Sequence, residues 1–205
     1  GEIDELTFFK KQFSKNDTFL DIGANMGFYT VLAAKFVNQV VAIEPIRKNV
    51  ALIKLSLELQ ARDNWTIYQK LASDKEEEFH FLEVEQSGLS RLIKNNEEKA
   101  RKHIELEYGK LETSIKKYTS MSVDALELTR LDLVKIDIEG FELKAIMGAL
   151  RTLERCKPRL IMIEVVEEAM SLYGDSLDKL LSILGGLGYQ PHILVNNSLE
   201  QYTGQ

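Results

Sequence analysis

Gly23 and Gly27 flank Ala24, Asn25 and Met26 directly after a short apolar run, Thr18-Phe19-Leu20-Asp21-Ile22, and directly before a helical pattern from Phe28 to Phe36. Glycine at both ends of such a turn removes side chains where a backbone must bend tightly and approach a ligand, and amides opening a helix can donate to a carboxylate. The spacing is G-x-x-x-G, not the G-x-G-x-x-G whose middle glycine makes room for a pyrophosphate, so the turn suits a ligand without one. Glu44 ends a second apolar run, Val40-Val41-Ala42-Ile43-Glu44, before Pro45. An acidic side chain there can bind two ribose hydroxyls. Asp21, at the end of its own strand, either faces the positive charge of a cationic ligand or holds the turn through hydrogen bonds.

A third cluster is Lys135-Ile136-Asp137-Ile138-Glu139-Gly140. Alternation along a strand puts Lys135 and Asp137 on one face, and Glu139 joins them only if the chain stays extended. A lysine inside a covered sheet needs a partner, and Asp137 is the nearest in sequence. This pair is either an architectural ion pair or part of a site in which Asp137 or Glu139 accepts a proton from a substrate hydroxyl. Glu164, ending the next strand, points to the same sheet edge and is a candidate to bind substrate or a metal. The carboxylates leave Mg²⁺ an open alternative, although no histidine or asparagine completes a ligand set.

The elements that must position these groups alternate. Ile3, Leu6, Phe9 and Phe13 mark an amphipathic N-terminal helix within residues 1–16, and a helix is expected from Lys48 to Gln60. Strands are expected over 66–71, 133–137 and 160–165, with helices over 141–153 and 177–184. This rhythm predicts a single Rossmann-like α/β domain over residues 1–205: a doubly wound, mostly parallel, seven-stranded sheet with helices on both faces. Residues 78–122 break the rhythm and read as a β-rich, charged insertion, and the C-terminus reads as a closing antiparallel pair around Asn196-Asn197.

Composition excludes several partners. The net charge of −6 lacks the basic footprint that nucleic-acid backbones require. The single cysteine, Cys156, rules out an internal disulfide framework and fits a reducing compartment. No apolar run approaches bilayer-spanning length, and the acidic N-terminal residues do not read as a signal peptide, so a cytoplasmic location without membrane insertion is expected.

Taken together, Asp21-Ile22-Gly23-Ala24-Asn25-Met26-Gly27-Phe28-Tyr29-Thr30, Ala42-Ile43-Glu44-Pro45 and Val134-Lys135-Ile136-Asp137-Ile138-Glu139-Gly140-Phe141-Glu142 resemble class I methyltransferases, and the FkbM type in particular. The resemblance runs from about residue 17 to 190. It implies S-adenosylmethionine as cofactor, lying over Gly23 to Gly27 with Asp21, Tyr29 and Thr30 nearby, its ribose on Glu44 beside Pro45. It also implies that the turn Leu71-Ala72-Ser73-Asp74 lines the adenine, and Ser87-Gly88-Leu89-Ser90 resembles a family segment that would put Ser90 at the acceptor pocket. The residues themselves make Asp137 and Glu139 candidates beside the methyl sulfonium and Lys135 and Glu164 candidates for the acceptor side. The activity it implies is O-methylation of a sugar or small-molecule hydroxyl. An amine acceptor, a dinucleotide-dependent oxidoreductase and a non-catalytic binding domain are the alternatives on the same fold.

Overall fold

The computed structural model describes residues 2–84, 91–93, 113–195 and 198–203. The first half runs α1 (Glu2–Gln12), β1 (Thr18–Ile22), α2 (Phe28–Ala33), β2 (Gln39–Ile43), α3 (Arg47–Leu59), β3 (Trp65–Tyr68), β4 (Leu71–Ala72), β5 (Glu78–Val84), β6 (Arg91–Ile93) and β7 (Thr113–Met121). After a 3-10 turn, Val123–Leu126, come β8 (Leu133–Ile136), α4 (Glu142–Met147), α5 (Leu150–Cys156), β9 (Leu160–Ile163), α6 (Glu167–Leu172), α7 (Leu177–Gly186), β10 (His192–Val195) and β11 (Ser198–Gln201).

Five strands form one all-parallel sheet in the order β3-β2-β1-β8-β9. Alternation sends Leu20, Ile22, Val41, Ile43, Val134 and Ile136 to a core built with α4, α5 and α7. Phe19, Val40, Ala42 and Leu133 face the other way, into a core with α1, α2 and α3. Covering both faces is what parallel strands with crossover helices demand. β1 lies between β2 and β8, so the chain leaves it in opposite directions there, which is the switch point where such sheets bind ligands.

Among the described residues the central sheet has five strands, where seven are expected. β10 and β11 pair with each other, antiparallel, and their side chains are mostly exposed, whereas a strand joined to the covered sheet would be buried on both faces. The expected strand over 66–71 is two: β3 stops at Tyr68, and β4 joins a second sheet, parallel to β7, which runs antiparallel to β5. The expected helix over 141–153 is also two. Gly148 stands at the break, where only glycine fits, because a Cβ there would lie 2.0 Å from the Ser73 carbonyl oxygen. α5 then restarts on Asp124, whose carboxylate accepts from Arg151 N at 3.2 Å and Thr152 N at 2.8 Å, a helix-opening cap supplied from far along the chain.

At the opposite sheet edge Arg159 clasps α1. It donates to both carboxylate oxygens of buried Asp17, at 3.1 and 2.6 Å, and to Gln12 O at 2.6 Å. Arg159→Met leaves Asp17 with only Ser14 N as a hydrogen-bond donor to its carboxylate. Because a buried charge loses its partner, a loss of about 1–3 kcal/mol is expected in urea unfolding; an unchanged midpoint would show that the clasp contributes nothing.

Candidate functional site

Sheet pairing continues one residue beyond the strands and sets four residues in a row along the C-terminal edge. Glu164 N donates to Ile136 O (2.9 Å), Asp137 N to Ile22 O (3.0 Å), Gly23 N to Ile43 O (2.9 Å) and Glu44 N to Tyr68 O (3.1 Å). Glu164, Asp137, Gly23 and Glu44 therefore stand side by side, with Asp137 and Glu44 about 10 Å apart across two strand spacings. The glycine in this row is obligatory. Gly23 has φ +78, and a Cβ there would lie 1.9 Å from Asp137 O. The turn behind it keeps Asn25 left-handed at φ 50 and caps α2 with Gly27 at φ 88, Ala24 being buried beneath.

Glu44 is 4% exposed and its carboxylate is fully oriented. Oε2 accepts from Asn25 N at 2.9 Å, and Oε1 accepts from Ile46 N at 2.9 Å and from Asn49 Nδ2 at 3.2 Å. A carboxylate has about four lone-pair positions, so one on Oε2 is left for a further donor. Burial pushes the group up to about 7; the three donors oppose this, and the charge of Asp21 adds to it. Pro45, buried, closes the strand behind it.

Asp21 and Lys135 are paired across β1 and β8 and share the sheet face beneath α2. Asp21 Oδ2 accepts from Thr30 Oγ1 at 2.6 Å, so its turn-holding role is met by a side chain of α2, while the buried Oδ1 has no hydrogen-bond partner. Burial raises the Asp21 carboxyl above its usual range against the pull of Lys135. Lys135, 5% exposed, reaches Asp137 Oδ2 at 3.0 Å and stands 4.8 Å from the centre of the Tyr29 ring. Burial alone would lower its ammonium; the carboxylates of Asp21, Asp137 and Glu164 outweigh that and hold it above the ordinary lysine value. The expected Lys135–Asp137 pair is therefore present.

Glu139 leaves that face. Its φ of 54 and the φ of 98 at Gly140 turn the chain away from extension, and a Cβ on Gly140 would strike the Ala169 backbone. Glu142, 1% exposed, fastens this turn by accepting from Gly140 N at 2.9 Å. Glu164 is raised by partial burial and by the charges of Asp137, Glu5 and Glu139, with Lys135 pulling the other way. Among the described residues no three histidine, cysteine, aspartate or glutamate side chains form a group that could hold a metal ion.

Leu71, Ala72 and Ser73 are buried, with Leu71 and Ala72 paired to β7 as a strand where a turn is expected, because Ser73 N is also drawn to Met121 O at 2.9 Å. Ser90 lies outside the described residues. Sequence reasoning misses Asn49, an asparagine in the first turn of a helix with nothing in its local pattern to mark it. It also gives no role to Glu142, although the motif that carries the resemblance contains it.

A profile of the methyltransferase FkbM domain matches residues 21–191. A structure of methyltransferase FkbM from Methylobacillus flagellatus KT is similar at 19% identity and TM-score 0.51, over 83% of this chain and 38% of that one. The chain thus spans well under half the length of that relative. Precorrin-6y C5,15-methyltransferase from Geobacter metallireducens GS-15 is similar at 16% identity and TM-score 0.52, covering 95% of this chain and 75% of that one. The Streptococcus mutans protein SMU.1697c, solved in complex with SAH, is similar at 14% identity and TM-score 0.51, covering 98% and 88%. At these identities the structures show a shared fold, and no curated protein matches. No described helix is long and apolar enough to cross a membrane. With all three sequence blocks inside the matched span, the chain belongs to the FkbM methyltransferase family.

Proposed function

We propose that this chain transfers a methyl group from S-adenosylmethionine to a hydroxyl oxygen of a sugar or small-molecule acceptor. The observation that supports this most is the row Asp137, Gly23, Glu44 along one sheet edge: a glycine without a side chain lies between an oriented carboxylate suited to ribose and a carboxylate held by a buried lysine. The residues fit a cationic nucleoside. The remaining lone pair of Glu44 matches a hydroxyl donor, and Asp21 and Asp137 supply negative charge where the sulfonium would stand. In this reading Ala24, Asn25 and Gly27 face the amino-acid part, Tyr29 and Thr30 hold the floor, and Leu71, Ala72 and Ser73 border the adenine.

When bound, the cofactor supplies a methyl group already activated on a sulfonium. The chain's residues then align the acceptor oxygen in line with that methyl and exclude water. The Asp137 carboxylate, which Lys135 holds in place, would accept the hydroxyl proton as the methyl group passes to the acceptor oxygen and the bonding pair stays on sulfur in a neutral thioether. Lys135 and Glu164 border the acceptor side, and Glu139 follows on the turn that leaves this strand.

Calorimetric titration with S-adenosylhomocysteine, with NAD as control, tests the cofactor. Glu44 sets the expected pH dependence. Its folded value, about 7, lies above the ordinary 4.5, so the stability tied to its protonated form is present below 4.5 and lost as pH rises through 7. Ribose binding needs the ionised form and runs the other way. Affinity is expected to level off above pH 8 and to fall about tenfold per unit well below 7. Binding of NAD alone, or affinity for S-adenosylhomocysteine that is flat from pH 5.5 to 8, would remove Glu44 from this role.

A further inference from the structure

Asn49 lies in the first turn of α3 and is 7% exposed. Its Nδ2 carries two hydrogens, and both are used: one bond runs to Glu44 Oε1 and the other to Asn25 Oδ1, each at 3.2 Å. The backbone amide of that same Asn25 donates to the other oxygen of Glu44, Oε2, at 2.9 Å. The three residues close a ring: carboxylate to amide nitrogen, amide nitrogen to the Asn25 side chain, Asn25 backbone to carboxylate. A second donor, Ile46 N, reaches Oε1 from the loop that leads into α3.

The ring settles two things a single bond could not. It fixes the plane of the Glu44 carboxylate, and so the direction of the lone pair that is left. It also ties the left-handed residue of the β1–α2 turn, Asn25, to the end of β2 through its side chain as well as its backbone.

We infer that Asn49 is a positioning residue for nucleoside binding, which orients the Glu44 carboxylate toward the ribose and holds the Asn25 turn against it without touching the ligand. This rests on the reading of Glu44 as the ribose acceptor. The test is a double-mutant cycle on S-adenosylhomocysteine affinity, with wild type, Asn49→Ala, Glu44→Ala and the double variant titrated at pH 8. Asn49→Ala is expected to bind on the order of tenfold more weakly, the worth of one good hydrogen bond. In the Glu44→Ala background the same change is expected to cost clearly less, about threefold or under, because only the bond to Asn25 is left to lose.

A readout that packing alone would not move is the pH midpoint of binding. Losing a donor to the carboxylate should move it upward in Asn49→Ala, with Asn25 N, Ile46 N and the charge of Asp21 still acting on the group. Asn49→Ser, which keeps a donor, serves as rescue and as the second variant should the alanine form fold poorly; recovery of at least part of the affinity is expected. Wild-type affinity in Asn49→Ala, or losses that simply multiply in the double variant, overturn the positioning role and leave the cofactor reading standing. Failure of the wild type to bind S-adenosylhomocysteine overturns the cofactor reading itself, before any variant is made.

Discussion

Gly23→Ala is expected to unfold or severely loosen the protein, a larger loss than any other single methyl added at this edge. The new Cβ would lie 1.9 Å from Asp137 O, 2.9 Å from Asp137 C and 2.7 Å from Ile138 Cγ2. Two of those three atoms are backbone, and the strand carrying them is locked to β1 by the bond from Asp137 N to Ile22 O. On the other side Gly23 N is committed to Ile43 O, so the turn has nowhere to move. The φ of +78 adds the ordinary strain of an L-residue in the left-handed region. A loss of roughly 3–5 kcal/mol follows, read as a drop in the urea midpoint. Gly174→Ala is the control: its φ of +79 carries the same left-handed strain, but a Cβ there would meet nothing within 4 Å. A Gly23→Ala protein as stable as the Gly174→Ala one would show that β1 and β8 are not as tightly joined as described.

Asp137→Asn is expected to abolish most turnover and leave the fold and the affinity for S-adenosylhomocysteine, whose sulfur is uncharged, nearly intact. The amide oxygen can still accept from Lys135 Nζ, now at 3.0 Å from Oδ2, so the buried ammonium keeps a partner. What is lost is a group able to take the hydroxyl proton, and general-base removal lowers rates by about 10²–10⁴-fold. Methyl transfer from labelled S-adenosylmethionine to a responsive hydroxyl acceptor, beside thermal melting, separates the two effects. A variant with wild-type turnover would take the proton-accepting role away from Asp137.

The parts of the fold legible in the sequence were those decided locally. β1 falls on the expected residues Thr18–Ile22 because the run is apolar throughout and bounded by a glycine turn, and α3 lies within a residue of its expected limits. The parts that were not legible depend on distant groups. Nothing around Gln69 and Lys70 announces that the strand will break there; the break exists because Leu71 and Ala72 are claimed by β7, dozens of residues later. Gly148 looks like a tolerated helical glycine until Ser73 O is found against it. At the site, Gly23, Glu44, Lys135 and Asp137 could be picked out by type and spacing, and the structure brings them to one edge. Glu139 could not be placed, since its left-handed turn is held by Glu142 and by the Ala169 backbone. Asn49 was invisible because its partners are set by tertiary pairing.

The way the second sheet is attached has a consequence for how such chains diversify. Ser73 N bonds to Met121 O, and Leu71 pairs with Ser120, so the two ends of the chain between them meet at one spot. A segment whose two ends meet can be lengthened, shortened or replaced with little disturbance to its host. The stretch from Asp74 to Thr119 is thus a cassette on a fixed mount, and grafting a relative's stretch between Ser73 and Ser120 is the natural unit of exchange.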